Sequence, residues 1–182
     1  MVYILLGKGF EETEATAPYD ILCRGGAEPV FAGVGEKNVV SSHGIGYSAH
    51  CLVSDIDLDK AEMIVIPGGL GGVETISRSK EALSVIKNAI GRGIEVAAIC
   101  AGPSVLYGLG VLCGKNVTCY PGVEENMPEA KAHTDRAVVR DGKITTGRGP
   151  GSSLDFGFAL LEVLRGKKAA DDVAAAMHYD YR

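Results

Sequence analysis

The sequence predicts an α/β protein with a mostly parallel sheet covered by helices on both faces, and three observations carry that prediction. Short apolar runs (Val2 to Leu6, Glu62 to Ile66, Val96 to Ile99) are each bounded by turn formers, as strands buried on both faces are. Segments with helical start and stop signals alternate with them. No internal repeat, linker or low-complexity tract interrupts the pattern, so residues 1–182 read as a single domain.

In chain order, Val2 to Leu6 is the first central strand and Gly7-Lys8-Gly9 its turn. Glu11, Glu12 and Glu14 open a helix that carries Ala15, Tyr19, Ile21 and Leu22 and ends near Arg24-Gly25-Gly26. Acidic residues in a first turn and glycine after the last are the usual helix signals. Pro18 should bend this helix or mark its true start. Pro29 to Ala32 is a second strand, and the alternating Val, Ile, Tyr and Cys of Val39 to Val53 predict a β-hairpin or ribbon. Pro67-Gly68-Gly69-Leu70-Gly71-Gly72 stops the next strand, and helices follow around Val73 to Ser77 and Lys80 to Gly91. The strand ending at Cys100 turns into a helix that runs to about Gly110, and Val117 to Tyr120 is a further strand. Val138-Val139 and Lys143 to Thr145 pair around Asp141-Gly142, a strong two-residue hairpin signal. A loop, Gly147 to Gly151, leads into a long helix, Ser153 to Arg165, and a short helix from about Ala169 to Met177 closes the chain.

Composition narrows the function classes. Lys+Arg 18 against Asp+Glu 23 gives a net charge of −5 with mixed signs, which is no electrostatic footprint for nucleic acid. No apolar run approaches the roughly 20 residues that span a bilayer, so no membrane association is expected. The N-terminus lacks the basic region and cleavage site of a signal peptide. Five cysteines without CxxC spacing argue against a disulfide framework and a zinc site, and for a reducing, cytoplasmic setting. His43, His50, His133 and His178 show no metal-pair spacing, and no metal or cofactor is expected.

The chemistry centres on Ala98-Ile99-Cys100-Ala101-Gly102-Pro103. Small residues two before and two after a nucleophile are the spacing of a nucleophile elbow, where a larger side chain would clash across the turn. Pro103 suits a first helical turn, and a helix N-terminus favours thiolate at Cys100. The competing reading is a core thiol, since free cysteine is among the most buried residue types. In parallel sheets ligands bind beyond the carboxyl ends of the strands, and there Gly7 to Glu14, Pro67 to Gly72 and Cys100 to Ser104 emerge together. The glycine loop could offer backbone N–H groups to an oxyanion, or be a plain turn; no GK[ST] follows, which excludes a Walker loop. Glu11, Glu12 and Glu14 are either a solvated helix start or the source of one carboxyl that reaches Cys100 and shuttles a proton. A Cys–His dyad with His43, His50 or His133 stays open, while Cys23, Cys51, Cys113 and Cys119 lack the elbow context and read as packing residues.

Four motifs together, Ala97-Ala98-Ile99-Cys100-Ala101-Gly102-Pro103, Val65-Ile66-Pro67-Gly68-Gly69, Gly9-Phe10-Glu11-Glu12-Thr13-Glu14 and Gly147-Arg148-Gly149-Pro150-Gly151-Ser152, resemble the ThiJ/PfpI superfamily. The match is closest to the branch of the human parkinsonism protein (DJ-one) and its bacterial relatives, and it runs from about residue 2 to residue 175. The resemblance implies a flavodoxin-like three-layer sandwich, similar to class I glutamine amidotransferases, that forms a homodimer. It places the nucleophile on Cys100, a protonated carboxyl partner on Glu14, and oxyanion amides on Gly69 and Ala101. It also places an arginine contributed across the dimer interface on Arg24. Two positions depart from the human-type pattern: Tyr120 stands where a histidine near the cysteine is usual, and a second arginine is replaced around His43.

The implied activity is a glutathione-independent glyoxalase or a deglycase, acting on methylglyoxal, glyoxal or their early adducts. A redox-responsive stress or chaperone protein that senses oxidants through Cys100 is the alternative. A small peptidase or amidase is a third, which Tyr120 disfavours by removing the obvious imidazole.

Overall fold

In the computed structural model, which describes residues 1–180, the three apolar runs become the middle of a seven-stranded sheet. Numbered along the chain, its strands lie in the order β10 (Val138–Asp141), β11 (Ile144–Gly147), β7 (Glu95–Ile99), β6 (Met63–Ile66), β1 (Val2–Leu6), β2 (Pro29–Gly33) and β5 (Cys51–Leu52). Every neighbouring pair is parallel except β10 and β11, the hairpin around Asp141-Gly142.

Alternation along the strands decides the layering, because successive side chains point to opposite faces. Val2, Ile4 and Leu6, with Met63, Val65, Ala97 and Ile99, share a core with Ile21 and Leu22 of α1 (Glu12–Arg24) and Phe156 and Leu161 of α5 (Ser153–Arg165). Tyr3, Leu5, Ile64, Ile66, Val96 and Ala98 share the other. Their partners are Ile76 of α2 (Leu70–Arg78), Ile86 of α3 (Lys80–Gly91) and Leu106 of α4 (Pro103–Gly108). The last helix, α6 (Lys167–Ala176), adds Ala170 and Val173 to the first core. Two apolar faces on one sheet make the three-layer sandwich.

Three expectations change. The stretch Val39 to Val53 is not one ribbon: β3 (Asn38–Val40) and β4 (Gly46–Ser48) pair as a hairpin, and β5 then joins the main sheet beside β2. The strand expected over Val117 to Tyr120 is only β8 (Asn116–Val117), paired with β9 (Lys131–Ala132) in a separate two-stranded sheet. Its ladder stops because the Thr118 N–H donates to Thr146 Oγ1 at 2.8 Å. Helix α1 neither starts nor breaks at Pro18. Proline removes the bond to the Glu14 carbonyl, but its ring is buried against Gly157 of α5, where helix packing offsets the loss.

The topology also fixes where a ligand can enter. From β1 the chain passes through α1 to β2 on one side, and only later returns to lay β6 on the other side of β1. This is a topological switch point, where a crevice opens at the carboxyl ends of the strands.

Candidate active site

At that edge β7 ends and Cys100 takes φ +64, one of two non-glycine residues with positive φ among the described residues. Such a conformation costs about 1–3 kcal/mol and persists only where neighbours over-determine it. Here the Cys100 N–H donates to the Gly147 carbonyl at 3.0 Å, and the Cys100 carbonyl accepts from the Tyr120 N–H at 3.0 Å. A Cβ on Gly102 would lie 2.6 Å from the Ile66 carbonyl oxygen, which is the clash the elbow spacing anticipates. Pro103 opens α4, as expected, but that helix has only six residues. Its dipole is therefore a lesser source of thiolate stabilisation than nearby amides.

Of the three acidic residues at the start of α1, Glu14 is the one that reaches the cysteine. It is fully buried, Oε2 accepts from the Gly68 N–H at 2.7 Å, and Oε1 has no partner among the described residues. Burial pushes the Glu14 carboxyl up to about 7; the bonds to the Gly68 N–H and Cys100 oppose this, and the charge on Glu11 adds to it. Burial also pushes the Cys100 thiol up to about 12, helped by the charge and the hydrogen bond of Glu14, while the Gly69 and Ala101 amides pull it down.

One proton serves both groups. Once Glu14 is neutral, both of its contributions to the cysteine vanish, and the carboxyl donates to sulfur. Burial thus favours the protonated form of both groups, and a neutral Glu14 leaves the Gly69 and Ala101 amides as what stabilises the sulfur as thiolate against that burial.

Gly68 went unrecognised in the sequence, where only Gly69 was singled out. A Cβ there would fall 2.6 Å from both Cys100 Cβ and Glu14 Oε2, so the pair meets only across a glycine. The available signal was a glycine directly after Pro67 at a strand end.

Glu11 and Glu12 turn elsewhere. Ser42 Oγ donates to both at 3.0 Å, and His43 Nδ1 lies 2.8 Å from Glu12 Oε1. The donor atoms of Glu11, Glu12 and His43 lie within 4.8 Å of one another, an arrangement that could hold a cation although His43 is exposed. His50 Nδ1 accepts from the Phe31 N–H at 3.0 Å, and His133 Nε2 lies 2.9 Å from Asn116 Oδ1. Among the described residues no histidine is bonded to Cys100. The Tyr120 side chain is 51% exposed, joined to the elbow through its backbone.

Arg24 is exposed and its Nε donates to Asp20 at 2.7 Å. Ten residues along α1 from Glu14, it stands about 15 Å away down the helix axis, so one chain alone does not bring it to Cys100. The remaining cysteines divide. Cys119 is buried, its thiol pushed up to about 11 by burial and then by Glu124. Cys51 is half-buried, whereas Cys23 and Cys113 are exposed and so are not the packing residues expected.

Comparison with known proteins places this geometry. The profile described as DJ-1/PfpI family matches residues 1–163. Protein DJ-1 homolog B of Arabidopsis thaliana is 38% identical over 178 residues, 97% of this chain and 41% of that protein. The chain thus spans about two fifths of the length of that relative. The Caenorhabditis elegans protein named glutathione-independent glyoxalase DJR-1.2 is 29% identical over 165 residues, 90% of this chain and 87% of that protein. Among solved structures, Drosophila melanogaster DJ-1beta superposes with a TM-score of 0.95 at 31% identity, covering 99% of this chain and 98% of that one. Oxidized Toxoplasma gondii DJ-1 gives 0.92 at 35% identity, with 99% and 98% covered. The curled parallel sheet with helices around it is the flavodoxin-like, class I glutamine amidotransferase-like fold of these neighbours. With a profile match over nearly its whole length, the chain belongs to the DJ-1/PfpI family.

Proposed function

We propose that the chain is a thiol-dependent enzyme that converts methylglyoxal to lactate, or releases early glyoxal adducts, without a bound cofactor. The observation that carries this reading is the fully buried Glu14 beside a Cys100 held at φ +64, with the Gly69 and Ala101 amides on the same sulfur. The name of the C. elegans relative supports it.

In this mechanism the Cys100 thiolate adds to the aldehyde carbon, forming a C–S bond and an alkoxide that the Gly69 and Ala101 amides hold. The Glu14 proton neutralises that oxygen. As carboxylate, Glu14 then removes the hydrogen from the same carbon as a proton and returns it to the neighbouring ketone carbon, while the hydroxyl proton passes to the former ketone oxygen, so one carbon is oxidised to a thioester as the other is reduced to a carbinol. Water cleaves the resulting thioester to lactate and restores the thiol and the carboxyl. Deglycation would form the same C–S bond by displacing the amine from the carbinol carbon, the C–N bond breaking as Glu14 gives its proton to the departing nitrogen. A homodimer that contributes Arg24 from the second copy, and a cytoplasmic setting, are parts of the same proposal. No helix among the described residues is long and apolar enough to cross a membrane.

Lactate formation from methylglyoxal tests it: turnover by the wild type should fall at least about a thousandfold in Cys100→Ala. Full activity in that variant would sink the mechanism. A second reading, an oxidant sensor, draws on the unpartnered Glu14 Oε1, which could bind an oxygen added to the sulfur. It gains if the wild type shows no turnover while peroxide adds two oxygens selectively at Cys100.

A further inference from the structure

Beside the elbow lies an open cavity of about 660 Å³ bordered by Tyr120, Pro121, Ala137, Arg148, Pro150 and Asp155. Its walls are tied to the nucleophile. Tyr120 gives its N–H to the Cys100 carbonyl, and Arg148 follows Gly147, whose carbonyl takes the Cys100 N–H. In the β11–β7 register Gly147 stands opposite Ile99, so one step further Arg148 is level with Cys100. Methylglyoxal has five non-hydrogen atoms, roughly 150 Å³ if each takes about the 30 Å³ of a liquid water. Neither Cys100 nor Glu14 lines the cavity, so it adds space beside the reacting atoms for a part of a substrate that methylglyoxal does not have.

The charges on this wall are unequal in how they are satisfied. Asp155 Oδ1 accepts from Tyr179 Oη at 2.9 Å. Arg148, an exposed residue, donates its backbone N–H to the Ala137 carbonyl at 2.9 Å, and its guanidinium has no ion pair or hydrogen bond to protein among the described residues. A guanidinium presents its N–H groups as a planar fork that matches a carboxylate with two parallel bonds.

The geometry points to a carboxylate subsite in which Arg148 selects dicarbonyl substrates that carry a carboxylate a few bonds from the reacting aldehyde. This rests on the dicarbonyl reading of Cys100. Arg148 as the one cation on a described wall that also carries Asp155 suits a single negative charge better than the two of a phosphate monoester.

Two probes differ in that charge: 4,5-dioxopentanoate, an α-oxoaldehyde with a carboxylate two methylenes away, and the neutral 2-oxopentanal. Each takes up one water overall. The aldehyde carbon is oxidised to a carboxylate and the ketone carbon reduced to a carbinol, giving 2-hydroxypentanedioate and 2-hydroxypentanoate. The wild type should favour the charged probe in kcat/KM by about tenfold or more, the effect of one charge-assisted hydrogen bond. In Arg148→Gln that ratio should fall to near one, mainly through KM, and Arg148→Lys should restore part of it. A wild-type ratio near one, or a ratio unchanged in Arg148→Gln, overturns the subsite while leaving the reading of Cys100 intact. Loss of turnover on both probes in the wild type overturns the reading of Cys100 instead. Calorimetric binding of the two hydroxy acids then judges the subsite alone, and equal affinities overturn it. Tighter binding of inorganic phosphate than of 2-hydroxypentanedioate overturns the choice of carboxylate.

Discussion

At the amino end of the sheet, Glu62 sits between the Arg165 guanidinium at 2.6 Å and the N-terminal ammonium at 3.1 Å; at the carboxyl end, Glu14 sits beside Cys100 and no cation among the described residues pairs with it. Glu95, at the start of β7, follows the first pattern, with Lys143 at 2.8 Å and Arg140 at 3.2 Å. Arg165 and the N-terminus hold the Glu62 carboxyl down to about 2, against its partial burial. Burial without a cation pushes the Glu14 carboxyl up to about 7. The same side chain on the same sheet is thus a fixed charge at one end and a proton carrier at the other. The difference lies in whether a guanidinium accompanies the carboxyl into the fold.

The largest effect expected from this contrast is a pH dependence of stability. Glu14 holds a proton in the folded state up to about pH 7, whereas the unfolded chain releases it near the ordinary 4.5. The folded state therefore binds the extra proton between those values. The stability it brings is fully present below pH 4.5 and lost as pH rises through 7. The gap of about 2.5 pH units is worth about 3 kcal/mol. Glu14→Gln has no proton to lose, so the thermal midpoint of the variant minus that of the wild type should rise from pH 5 to pH 8. A constant difference would break the contrast.

Next in size is Gly68→Ala. The added methyl group meets both Cys100 and Glu14 and should cost about 1–3 kcal/mol in urea unfolding, as overpacking does. It should also lower lactate formation by separating the pair. Wild-type stability and turnover in this variant would show that the pair does not need the glycine.

The smallest effect belongs to Arg165→Gln. Arg165 and Glu62 are 30% and 37% exposed, and solvent screening keeps their contribution to about 1 kcal/mol or less at pH 7. Glu62 is held below its ordinary 4.5, so this contribution is present above that value and lost as pH falls through about 2. Variant and wild type should converge in acid denaturation below that point.

The contrast between the ends was only partly legible in the residues. Apolar runs bounded by turn formers located β1, β6 and β7, because a strand buried on both faces has no polar positions to hide it. The elbow was legible because the sharp turn at Cys100 admits only small neighbours, such as Gly102. The choice of Glu14 over Glu11 and Glu12 came through the family resemblance, since it depends on Gly68, 54 residues away, and no local spacing encodes that contact. The two-residue strand β5 was hidden for a similar reason: its place beside β2 is set by the fold around it. Pro18 misled because helix propensity is local, whereas the packing of α1 on α5 is not.

The Cys100 amide is bonded to the carbonyl of Gly147, on the strand that flanks β7. On the ribosome, residues 144–147 are added more than forty positions after Cys100. At about 5–20 residues per second that is an interval of several seconds. Until β11 pairs with it, a β7 laid beside β6 keeps one open edge, a template to which another nascent chain could add. Stalling within that interval would leave a nascent chain whose cysteine has its neighbours in sequence but not yet the carbonyl that holds its amide.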